Sequence, residues 1–62
     1  MKTISKEYFA CKVLERLNGM SHYNKDIVKG AVDELKENYG YSVNGISDAE
    51  LLDYVLDEVG RV

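Results

Sequence analysis

Glycine falls at positions 19, 40 and 60, each time directly after a run whose apolar residues recur at helical spacing, and proline occurs nowhere in the chain. A glycine just past such a run is the common left-handed stop of a helix, and without proline nothing breaks the runs between stops. Three stops predict three helices, at about 5–18, 22–39 and 48–59. In the first, Phe9, Ala10, Val13, Leu14 and Leu17 share one side, with Cys11 at its margin. In the second, Asn24, Ile27, Val28, Ala31, Val32, Leu35 and Tyr39 do the same. In the third, Leu51, Leu52, Val55, Leu56 and Val59 form the apolar arc, extended by Ala49. Each helix has one face to bury, and three such faces close on one another. The expected fold class is all-α, a small three-helix bundle, with residues 1–62 as a single helical domain.

The firmest start signal is Ser47-Asp48-Ala49-Glu50. It fits the S-x-x-E capping box, in which serine accepts from the glutamate amide and the glutamate reaches back to the serine amide. Ile46 stands where a hydrophobic staple to Leu51 is expected. The connection from Gly40 to Gly45 is longer than the Gly19-Met20-Ser21 link, and in it Tyr41 and Val43 cover the bundle end or form a short extended piece.

Sixty-two residues bury only roughly 60% of the surface their unfolded chain exposes, so a fold of this size is marginal without a supplement. The one cysteine, Cys11, excludes an internal disulfide, and Cys11 with His22 falls short of a closed zinc site. What remains is tight helix packing or association, and self-association as a homo-oligomer is expected. The lack of cysteine pairs points to a reducing compartment, no apolar run approaches a membrane span, and residues 1–20 lack a signal-peptide core. The expectation is a cytoplasmic protein without a membrane partner.

No motif names a reaction. Cys11 has its only possible base, His22, one helix away and no third group to orient the pair. The carboxylates have little interior in which to acquire two different environments. Those of the second helix lack the alternation and central glycine of a calcium loop, and no glycine-rich loop leads into Lys-Ser/Thr. Catalytic residues, cofactor and metal are therefore all read as none, and the chain is read as not an enzyme.

The net charge of −3 conceals a division: residues 1–31 hold six Lys/Arg against three acids, and residues 32–62 hold two against eight. A helix-turn-helix reading would present Ser21, His22, Asn24, Lys25 and Lys29 to DNA from the start of the second helix. That helix continues with Asp33, Glu34 and Glu37, which oppose a phosphate-binding footprint and disfavour nucleic acid. The acids also have a positive reading. Glu50, Asp53 and Asp57 form a line on the third helix, with Glu58 to one side and Tyr54 between Glu50 and Glu58, outside the apolar arc. Asp26, Asp33, Glu34 and Glu37 make a second acidic side, with Gly30 among them at a cost of roughly 1 kcal/mol relative to alanine. Tyr8 likewise stands off the stripe of the first helix. Tyrosine is enriched at protein interfaces, whereas charge alone needs no explanation beyond solubility.

These features predict a non-catalytic protein–protein interaction module, a regulator or inhibitor of the accessory kind found in viruses and mobile elements. It would bind a larger protein through Glu50, Asp53, Tyr54, Asp57, Glu58 and Tyr8, and occupy a basic groove that otherwise holds nucleic acid. The alternatives are the DNA-binding regulator and a purely self-assembling unit.

Overall fold

A computed structural model describes residues 2–18 and 24–60. Three helices pack pairwise on one another: α1 (Lys6–Leu17), α2 (Lys25–Glu37) and α3 (Asp48–Gly60). Two short strands, β1 (Lys2–Thr3) and β2 (Tyr41–Ser42), pair in parallel with Lys2 opposite Tyr41 and Thr3 opposite Ser42. The architecture is the expected three-helix bundle, with this strand pair added at one end.

Each helix start has its own chemistry. Ser5 caps α1, its hydroxyl accepting from the Tyr8 amide at 3.1 Å. Asn24 caps α2 in an extended conformation, its side chain accepting from the Ile27 amide at 3.0 Å. At α3 the capping box forms as expected. The Glu50 amide donates to the Ser47 hydroxyl at 3.2 Å, and the Glu50 carboxylate accepts from the Ser47 amide at 3.4 Å and from its hydroxyl at 3.0 Å. Ile46, just outside the helix, packs on the core cluster that contains Leu51.

The core contains only apolar side chains among the described residues: Phe9, Ala10, Val13 and Leu17 from α1, Val28, Ala31, Val32 and Leu35 from α2, and Leu51, Val55 and Val59 from α3. Leu14, Leu52 and Leu56 flank it, half-buried. Five members of the expected apolar faces lie elsewhere, among them Ala49, which is exposed in the first turn of α3. Asn24 is the exposed cap of α2, because an amide side chain gains more from an orphan helix N–H than from an apolar stripe. Ile27 is 37% exposed at the rim and Cys11 is exposed. Tyr39 is 55% exposed, because α2 ends at Glu37 with Asn38 as its cap and the chain leaves the helical period before Tyr39 is reached.

Gly40 has φ 73° and Gly45 φ 78°, conformations that carry a steric penalty for any residue with a Cβ. The first turns the chain out of α2 into β2, where the Lys2 amide donates to the Gly40 carbonyl at 2.7 Å and the Ile4 amide to that of Ser42 at 2.8 Å. The second turns it toward the Ser47 cap. The expected stop at Gly19, and Ser21, His22 and Tyr23, lie outside the described residues.

Candidate interaction surfaces

The faces of α3 divide as its sequence implies. Leu51, Val55 and Val59 are buried, while Glu50, Asp53 and Asp57 are exposed on another side, in a line. The helix carries five acids and no basic residue from Asp48 to Gly60. Asp48 is drawn off to Lys36 of α2, whose ammonium holds the Asp48 carboxyl below its ordinary value, mainly through their hydrogen bond. Glu50 supplies the capping box with one oxygen.

Tyr54 is set differently from an open anchor. It is half-buried, packs against the core cluster, and has the Lys6 ammonium 4.9 Å from its ring centroid. Burial, then the nearby Glu58 carboxylate, raises its phenol above the ordinary value, with smaller effects from Glu7 and Cys11. The ring therefore lies in the seam between α1 and α3, with its hydroxyl toward Glu58. The aromatic part of this surface is a prepared, cation-covered edge beside the acidic line.

Tyr8 stands on α1 rather than on α3. It is 44% exposed, and its ring lies under Lys12, whose Nζ is 5.3 Å from the centroid. Lys12 is held above its ordinary value first by the Tyr8 hydroxyl and then by Glu15. Lys12, Glu15 and Arg16 form one wall of a groove of about 250 Å³, with Leu35 at its base and Tyr39 and Tyr41 as the other wall. The two tyrosine rings stack at 6.4 Å between centroids and 9° between planes, and Lys2 sits 5.8 Å above Tyr41. Reading one helix at a time misses this surface, since it joins α1 to residues more than twenty positions away. The adjacency of Tyr39 and Tyr41 around a turn-forming glycine is its one signal in the sequence.

Two of the four acids of the second acidic side, on α2, form ion pairs. Glu34 meets Arg16 of α1, and Asp33 meets Lys29 at 3.1 Å. That second pair also engages a lysine of the DNA-binding reading; Lys25 is exposed, and Ser21 and His22 are outside the described residues. Gly30 has open space where a Cβ would stand, so internal crowding does not explain the glycine. Among the described residues no group of three or more His, Cys, Asp and Glu is placed to hold a metal ion, and no helix is long and apolar enough to cross a membrane. Compared with known protein families, curated proteins and solved structures, the chain finds no match.

Proposed function

We propose that this chain is a non-catalytic, cytoplasmic interaction module that regulates or inhibits a larger protein by laying α3 against a basic surface. The supporting observation is the exposed line of Glu50, Asp53 and Asp57 on a helix with no basic residue of its own. A rigid helix presenting carboxylates about one turn apart offers a basic groove a row of negative charge in place of nucleic-acid phosphates. Binding of this kind gains on-rate from charge and weakens as salt rises. Tyr54 and Glu58 border the contact, the ring adding apolar area beside the charged line. Tyr8 lies outside it.

The test is a nuclease-treated pull-down from source-cell lysate with the native chain and with Asp53→Lys/Asp57→Lys. Both residues are exposed, and circular dichroism and melting of the variant check that it stays folded. One protein retained by the native chain, lost in the variant and released by salt is the expected result. Identical capture by both would reduce the acidic line to a solvated face. Retention of the native chain on a phosphate-like column at low salt, lost on changing Lys25 and Lys29, would instead favour the DNA-binding reading.

A further inference from the structure

We propose that the groove between α1 and the Tyr39–Tyr41 stack receives the acidic line of α3 from a second copy of this chain. The inference rests on reading that line as a contact surface, and adds a second, distinct surface that recognises it.

Charge and spacing carry the match. The groove is bordered by Lys12 and Arg16 with Glu15 between them, and Lys2 lies over the ring of Tyr41, a residue of its far wall. Lys12 and Arg16 are four residues apart on one helix, as are Asp53 and Asp57 on another, so each pair is separated by a rise of about 6 Å. Two helices laid side by side can then form both ion pairs at once. The existing partners of the cations do not prevent this. The Lys12–Glu15 pair, at 3.4 Å, has a glutamate 67% exposed, and the Arg16–Glu34 pair is also open to solvent. Pairs of this kind exchange partners at little cost.

The aromatic wall gives the contact its apolar part. Tyr39, at 55%, is the most exposed large apolar side chain among the described residues. Tyr39 is already ordered against Tyr41, so little side-chain freedom remains to be lost when a partner covers it. Stacked tyrosines beside cations suit a partner that brings carboxylates together with aliphatic stems.

The acidic line cannot reach this groove within one molecule. α3 turns Leu51, Val55 and Val59 toward the other two helices, and its exposed acids point away from them. Groove and line are different patches, so the contact is heterologous and either closes as a ring or runs on head to tail. It also covers the carboxylates that a larger partner needs, so self-docking and partner binding exclude one another.

The test is sedimentation equilibrium on the full chain, from low micromolar to millimolar, at low and at physiological salt. Four samples are compared: the native chain, Lys12→Glu/Arg16→Glu, Asp53→Lys/Asp57→Lys, and an equal mixture of the two variants. The native mass is expected to rise above 7.0 kDa with concentration. Association should weaken by about tenfold or more between the two salts. Each variant alone stays monomeric, and the mixture associates because reversed groove and reversed line are again complementary. Tyr39→Ser removes an exposed ring without touching the ion pairs; it weakens association and keeps the salt dependence, and carries the test if circular dichroism shows the groove variant unfolded. A native chain monomeric at millimolar concentration and low salt overturns the proposal, as does association that survives both reversals or a mixture that stays monomeric. A monomeric native chain leaves the capture of a larger protein to its own pull-down, so the two readings fail separately.

Discussion

Tyr54 stands between an apolar seam and a carboxylate, and both hold its phenol in the neutral form. Burial acts first and the Glu58 charge second, each raising the ionisation above its ordinary value near 10. A folded value raised above the unfolded one contributes stability that is fully present below the unfolded value and is lost as pH climbs through the folded one. Glu58→Gln removes the negative neighbour, so Tyr54 should ionise at lower pH. The check is tyrosinate absorbance through an alkaline titration, with Tyr54→Phe identifying which of the five tyrosines moves; an unchanged titration would place Glu58 too far away to act. The position of Tyr54 outside the apolar arc of α3 was legible in the sequence. Its cover was not, because Lys6, Glu7 and Cys11 come from another helix, and a single-helix wheel does not show what the neighbouring helix brings to its margin. Tyr39 presents the reverse case, a tyrosine in register with an apolar stripe but placed beyond the helix end.

Helix starts in this chain are written in side chains, and the clearest is the reciprocal Ser47–Glu50 cap of α3. Ser47→Ala removes the acceptor for the Glu50 amide and should lower stability by about 1 kcal/mol. Glu50→Gln retains an acceptor for the Ser47 amide and should lose less, which separates capping from the charge of the acidic line. Urea unfolding followed by helical circular dichroism measures both; a larger loss for Glu50→Gln than for Ser47→Ala would mean that the charge, rather than the cap, holds the helix start. This box could be read directly because all its partners lie within four residues. Asn24 was harder, since an asparagine in register with an apolar stripe satisfies the spacing rule and the capping rule at once, and only the extended backbone decides between them. The strand pair was beyond local reading. Two residues show no alternation, and Lys2 and Tyr41 meet across the length of two helices.

At the scale of the whole molecule, three helices share one small core, and Phe9 is its only phenylalanine and is fully buried. No disulfide reinforces that packing, and the ion pairs resolved among the described residues are solvent-exposed links worth little each. Stability therefore rests on the shape of the apolar cluster and on the caps that fix where each helix begins. A chain of this length has a total of roughly 3–9 kcal/mol to lose, from the usual range per residue. Replacing a fully buried phenylalanine by alanine costs about 3–5 kcal/mol, a large share of that total. Phe9→Ala should leave much of the population unfolded in dilute buffer, whereas Phe9→Leu, which refills part of the volume, should stay folded with a lower urea midpoint. Because all three helices lean on the same cluster, loss in one should appear as loss of helicity in all, in a single transition. If Phe9→Ala kept native helicity and the native urea midpoint, the helices would not depend on a common core. Two separated transitions would likewise show that they fold independently, and both surfaces described above would lose the rigid frame that spaces their charges.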